Sequence, residues 1–266
     1  MSLTSFVIRR AAPLPGIEQF SNYLFIGPHP DDIELGAGAT AAKLAAEGKR
    51  VTFLICLDGR FGLENAPAGT TPDQLAEIRK KESLAGAAKL GVSDVRFLGL
   101  SDGGLYTAEE LYRAMARAVG EIQPDIIFAP DPCSSSECHA DHLNVGEAAR
   151  RLAFFAPFDE IMNASGAKSA PVEAIAYYMT ARPNRYVKTS AYLKVQTEAI
   201  LCHKSQQLSL RFQFLQHRRH IEHRLLQLPP LLLQPTGFRL VIDRHILLHI
   251  CSPLNRTSTQ SSLPSS

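Results

Sequence analysis

No run of about eighteen or more apolar residues occurs in this 266-residue chain, so no transmembrane helix is expected. The stretch from Met1 to Pro15 carries Arg9 and Arg10 with no apolar segment behind them, and no signal peptide is expected either. Cysteine is scarce and shows no pairing pattern: Cys56, Cys133, Cys138, Cys202 and Cys251 are an odd set without a C-x-x-C spacing. That argues against a disulfide framework and a cysteine-rich zinc site, and for reduced thiols in the cytoplasm. A strong charge of one sign is also missing. The net charge of +2 covers a mildly acidic body, 21 basic against 24 acidic residues, and a basic end, where residues 207–266 hold seven arginines with only Glu222 and Asp243 as acids. The body has no basic stripe of the kind a nucleic-acid partner requires. Nucleotide signatures are incomplete. There is no Walker pattern, and Gly36-Ala37-Gly38-Ala39-Thr40 lacks the last glycine of the dinucleotide fingerprint because Ala41 stands there. Small residues at this point suit a helix packing closely on a sheet.

What is present is an ordinary globular composition, 45% hydrophobic and 20% charged, enough for one sizeable core. One α/β domain over residues 1–206 fits the length better than two small ones. Apolar runs at Tyr23–Gly27, Val51–Leu57, Val95–Leu98, Asp125–Ala129 and Val172–Tyr178 read as buried strands. Helical patterns lie between and after them, at Gly36–Glu47, Pro72–Leu90, Ala108–Ile122, Asp141–Phe154 and Ala191–Gln207. Strand–helix alternation of this length predicts a mostly parallel sheet with right-handed crossovers. Thr71 before Pro72 suits an N-cap, and Gly48 and Gly91 suit C-terminal caps. Residues 207–266 break this order. They are Leu-, Arg-, His- and Gln-rich and end in a Ser/Thr/Pro-rich stretch from Pro253 that is expected to be disordered.

Two clusters carry chemistry. Pro28-His29-Pro30-Asp31-Asp32-Ile33-Glu34 follows a strand and precedes a helix, at the carboxyl end of a strand where open α/β sheets form sites. Imidazole and carboxylate are good zinc ligands at roughly 2.0–2.2 Å, and His29 and Asp32 can converge on one ion if the chain turns between them. Pro30 favours one such turn. Asp31 is then free to take a proton from a water that the metal activates. The plainer account is that Asp31 or Asp32 only caps the helix. The second cluster, Glu137-Cys138-His139-Ala140-Asp141-His142, also follows a strand and opens a helix. His142 completes a three-ligand site that keeps one position open. His139 and Asp141 then flank the site, a histidine to polarise the carbonyl or protonate the leaving amine and a carboxylate to orient an imidazole. The plainer account has Asp141 capping the helix beside two solvated histidines. Weaker features are Asp58-Gly59-Arg60-Phe61-Gly62, a substrate loop or an ordinary turn; Arg79 and Glu82, spaced as a surface ion pair; and His203, late on a helix where the dipole favours it. His217, His220 and His223 have no carboxylate partner at useful spacing except Glu222, and no metal role is assigned to them.

With both clusters in place, the sequence resembles the LmbE-like (PIG-L) deacetylase family. Its hallmark His-Pro-Asp-Asp-x-Glu stands as His29-Pro30-Asp31-Asp32-Ile33-Glu34, and its His-x-Asp-His as His139-Ala140-Asp141-His142. The stretches Gly36–Gly48, Arg79-Lys80-Lys81-Glu82, Leu90 to Gly103, and Ala199 to Gln206 are similar as well, so the resemblance covers roughly residues 20–206. It implies a Rossmann-like three-layer α/β fold with the metal site at the carboxyl ends of the strands. It implies hydrolysis of an N-acetyl group on N-acetylglucosamine or a conjugate. By position, His29, Asp32 and His142 hold zinc or another divalent ion, Asp31 is the general base, and His139 and Asp141 stabilise or protonate the intermediate. Arg79 and His203 lie at positions tied to substrate. Family members are often multimeric, which leaves a homo-oligomer open. The departure is Leu208–Ser266, which does not resemble the Gly- and acid-containing end of the family and reads as an altered extension. Two other functions compete: a non-catalytic α/β domain that binds a sugar or nucleotide, and a metal hydrolase for another amide.

Overall fold

The computed structural model describes residues 15–207, and the expected tail, with His217, His220, His223 and Cys251, lies outside the described residues. Five strands form one sheet: β1 (Asn22–Gly27), β2 (Arg50–Leu57), β3 (Asp94–Leu100), β4 (Ile126–Pro130) and β5 (Ala174–Tyr178). All neighbours pair in parallel, in the spatial order β3-β2-β1-β4-β5. Among the described residues six α-helices accompany them: α1 (Asp32–Ala46), α2 (Pro72–Lys89), α3 (Ala108–Ile122), α4 (Ala140–Phe155), α5 (Asp159–Ala164) and α6 (Leu193–Ile200).

Parallel strands are covered on both faces and therefore read as continuous apolar runs. β1 is the clearest case: every residue from Asn22 to Gly27 is buried. Its side chains alternate between two cores. Leu24 and Ile26 join Leu54, Cys56, Ile127 and Ala129 against Leu111, Met115 and Val119 of α3 and Val145 and Leu152 of α4. Tyr23 and Phe25 join Phe53, Ile55, Ile126 and Phe128 against Ile33, Ala37 and Leu44 of α1, Ala87 of α2 and Ala199 of α6. The register sets Phe25 opposite both Phe53 and Phe128, and the rings of Phe25 and Phe128 stack at 4.4 Å.

Local signals act as expected at several ends. Thr71 caps α2 through its side chain, with Gln74 returning the bond and Pro72 in the first turn. Gly48 and Gly91 take φ of 76° and 79° after α1 and α2. Other boundaries differ. α1 starts at Asp32 rather than Gly36, because the Leu35 N–H already bonds the Asp31 carbonyl at 2.9 Å. The motif residues thus enter the helix themselves, and the Gly36–Thr40 segment lies within it rather than in a phosphate loop. α5 was not foreseen. The last helix stops at Ile200, flanked by 3₁₀ turns Ser190–Tyr192 and Lys204–Gln206, because the chain turns inward to bury His203. No helix among the described residues is long and apolar enough to cross a membrane.

Candidate metal centre

Strand order reverses direction between β1 and β4, and in doubly wound sheets the crevice at that point receives ligands. Both clusters arrive there. The chain leaves β1 through Pro28-His29-Pro30 and enters α1 at Asp32, while β4 leads through the 131–139 loop into α4. Ion-pair and ring contacts join the two clusters although more than a hundred residues separate them.

His29 is the hinge of the arrangement. Its Nε2 lies 3.1 Å from Asp141 Oδ2 and its Nδ1 3.2 Å from Asp32 Oδ2. Its backbone N–H also bonds Asp32 Oδ2 at 2.8 Å. His142 repeats the pattern, with Nδ1 2.9 Å from Glu137 Oε2 and Nε2 3.4 Å from Asp32 Oδ1. Each imidazole therefore has one nitrogen held by a carboxylate and the other facing Asp32. Asp141 is buried and saturated: it also accepts the N–H groups of Gly103 (2.8 Å) and Gly104 (3.0 Å) and the Tyr106 hydroxyl (2.8 Å). Asp141 does not cap α4. That place is taken by His139, whose Nδ1 accepts the Asp141 N–H at 3.3 Å. Since Nδ1 accepts, the proton of the neutral ring sits on Nε2. The rings of His29, His139 and His142 have centroids 4.7–5.5 Å apart, and one nitrogen from each falls within a 4.8 Å cluster that could hold an ion.

Asp31 does not cap α1 through its side chain; its φ is 120° and its carboxylate lies 3.3 Å from the Arg79 guanidinium. Arg79 does not pair with Glu82 on the surface. It is buried, and it donates to the carbonyls of Pro30 (2.7 Å) and Gly59 (3.1 Å), which its place on the inner side of α2 brings within reach. His203, expected at an exposed helix end, is buried 3.3 Å from Glu34. In the Asp58–Gly62 loop, Asp58 pairs with Arg60, and Phe61 is exposed while its N–H bonds Asp102.

The electrostatics favour positive charge at the centre. Burial would lower His29, but its hydrogen bonds to Asp141 and Asp32 raise it to about 10. Burial likewise opposes His142, and Asp32 and Glu137 raise it to about 9. Asp32 is held well below the ordinary carboxylate range, against its burial, by His142 and then His29. Asp31 is pushed up to about 6 by burial, with Arg79 pulling down and Asp32 pushing up. Burial and then the neighbouring His29 and His142 lower His139.

Sequence reasoning missed the holders. Glu137 stands two residues before His139, and that adjacency was its only signal. Tyr106, Gly103 and Gly104 act from a loop after β3, the latter two through backbone N–H groups that no side-chain pattern reveals.

The chain is similar to known proteins over the elements that carry both clusters. A family model described as PIG-L, GlcNAc-PI de-N-acetylase, matches residues 24–153, from β1 into α4. The diacetylchitobiose deacetylase of Thermococcus kodakarensis is 30% identical over 186 residues, 69% of each chain. The 1D-myo-inositol 2-acetamido-2-deoxy-alpha-D-glucopyranoside deacetylase of Kineococcus radiotolerans is 30% identical over 217 residues, 71% of this chain and 59% of the relative. Among solved structures, the N,N'-diacetylchitobiose deacetylase from Pyrococcus horikoshii superposes with a TM-score of 0.71 at 28% identity, covering 77% of this chain and 80% of that one. The chain belongs to the PIG-L (LmbE-like) deacetylase family.

Proposed function

We propose that this chain is a metal-dependent hydrolase that removes the N-acetyl group from an N-acetylglucosamine-type sugar or conjugate. The observation that carries the reading is the common aim of the two imidazoles. His29 and His142 each donate one ring N–H to a carboxylate and turn the other nitrogen to Asp32. This is the outer-shell pattern that fixes metal-bound histidines. His29 Nδ1 stands 3.2 Å from Asp32 Oδ2 and His142 Nε2 3.4 Å from Asp32 Oδ1, each pair near the roughly 3.3 Å that separates ligands of a tetrahedral zinc. His29, Asp32 and His142 would hold zinc or a similar divalent ion. When bound, the ion supplies Lewis acidity that polarises an acyl oxygen and lowers the pKa of water.

The chain's own groups supply the rest. Asp31, raised to about 6, is poised to take the proton of the attacking water near neutral pH. Arg79 fixes that carboxylate and the Pro30 carbonyl, so we read it as the holder of the base. His139 carries its proton on Nε2 and donates it to the acyl oxygen or the departing amine. Asp141 and Glu137 orient His29 and His142. The relatives' N-acetylated sugar substrates support a small-molecule glycoside as partner, and the odd cysteine count without a C-x-x-C spacing supports a cytoplasmic location.

Elemental analysis of the purified full chain tests the site. About one divalent ion per chain is expected, lost in His29→Ala, Asp32→Ala and His142→Ala but kept in His139→Ala, together with acetate release from diacetylchitobiose. A parent chain without metal after reconstitution sinks the proposal. Metal loss in His139→Ala with retention in Asp32→Ala points to the three-histidine set.

A further inference from the structure

Beside the apolar Leu75 and Ala87, the face that α2 turns inward carries a polar row. Arg79, Glu82, Ser83 and Gly86 recur at the i, i+3, i+4, i+7 spacing that aligns residues along one side of a helix, the place where an apolar stripe is usual. Arg79 reaches Asp31 and the Pro30 carbonyl. Glu82 accepts the backbone N–H and the hydroxyl of Ser205, at 2.8 and 2.6 Å. Gly86 leaves the space in which Glu34 meets His203: a Cβ there would stand 2.8 Å from Glu34 Oε1 and 3.1 Å from His203 Nε2. A glycine inside a helix costs about 1 kcal/mol relative to alanine, so the room for this pair is gained at the expense of α2.

The pair lies outside the chemistry described above. Glu34 Oε1 and His203 Nε2 are 3.3 Å apart, close but without hydrogen-bond alignment, and both side chains are fully buried. Glu34 Oε2, His203 Nδ1 and Ser83 Oγ have no hydrogen-bond partner in the protein. Each charge is therefore compensated mainly by the other. Burial draws His203 down, and Glu34, then Asp31 and Glu82, outweigh it and hold it above its ordinary value. Two well-packed apolar side chains would often be as stable as a buried ion pair, so its stability does not account for it. Its place does: Glu34 sits two residues after Asp32 in the first turn of α1, and Gln196 of α6 donates to the Glu34 carbonyl at 2.8 Å.

We propose that Glu34 and His203 are positioning residues whose pairing fixes the first turn of α1, and with it Asp31 and Asp32, while touching neither substrate nor metal. The inference rests on the metal-site reading of His29, Asp32 and His142. It is tested on the full chain by zinc competition with a chromophoric chelator, by kcat and KM on diacetylchitobiose, and by thermal unfolding. His203→Gln is expected to weaken zinc binding and lower kcat by about 10–100-fold, with KM within about twofold. The double variant Glu34→Gln/His203→Gln is expected to lose no more than the larger single loss, because the two act as one unit. Gly86→Ala leaves both partners in place, adds one methyl between them, and is expected to shift zinc affinity and kcat in the same direction. Should His203→Gln fail to fold, Gly86→Ala decides: parental zinc affinity and kcat overturn the inference. A rise in KM alone in His203→Gln marks a substrate contact and overturns it too. A parent that binds no zinc overturns the site reading along with it, whereas a parent that binds zinc and variants that match it overturn this inference alone.

Discussion

Asp31 has a backbone conformation that a side chain resists. At φ 120° it occupies a region left mostly to glycine, and such residues cost about 1–3 kcal/mol unless the surroundings over-determine them. Here they do. Pro30 stiffens the approach, the Asp31 carbonyl accepts the Leu35 N–H at the start of α1, and the carboxylate meets Arg79 at 3.3 Å. The result separates two adjacent acids, one facing the imidazoles and the other facing a guanidinium. Asp31→Asn preserves shape and removes the proton acceptor. It is expected to keep the bound ion and the melting temperature while kcat falls by about 10²–10⁴-fold, measured by acetate release and elemental analysis. Loss of the ion in this variant moves Asp31 into the ligand set.

At the scale of elements, the second cluster depends on how closely α4 lies against β4. Gly146 makes that approach: a Cβ there would stand 2.6 Å from the Pro130 carbonyl, which is backbone and cannot swing aside. His142 sits one turn earlier on the same helix. Gly146→Ala is therefore expected to destabilise the fold by about 1–3 kcal/mol despite the better helix former, and to weaken metal binding by pushing His142 outward. Denaturant melts and zinc competition check both effects; unchanged zinc affinity shows that α4 can shift without moving its first turn. The elements were legible in the sequence where one physical rule dominated. Val51–Leu57 is apolar but for Thr52 because its strand is covered on both faces, and Thr71-Pro72 announced α2 by capping chemistry. α5 was hidden because it spans six residues from Phe158, which makes no side-chain cap. The two clusters could be picked out because the first directly follows a strand and the second follows a strand and its loop. Arg79 and Glu82 misled because their spacing also fits a solvated helix face, and only the packing of α1 and the 203–206 turn shows that face to be inside.

Over the whole molecule, buried charge makes stability depend on pH. His203 faces Glu34 and Asp31 from the start of α1 and Glu82 from α2, and its folded pKa lies above the ordinary imidazole value. A raised pKa means that the folded state binds the proton more tightly. The stabilisation is complete below the unfolded value of about 6.5 and is lost as pH rises through the folded value. The difference in unfolding free energy between parent and His203→Gln is thus expected to be larger at pH 6 than at pH 9. A difference that stays constant or grows toward pH 9 shows that His203 is not charged in the folded chain.

β1 is paired along both edges and covered on both faces, and the first site residue follows its last residue by two positions. Amides in such a strand exchange with solvent chiefly through opening of the whole domain. The candidate site's first motif is thereby tethered to a segment expected to exchange only with the domain as a whole, so local fraying elsewhere leaves its anchor in place until the domain itself comes apart.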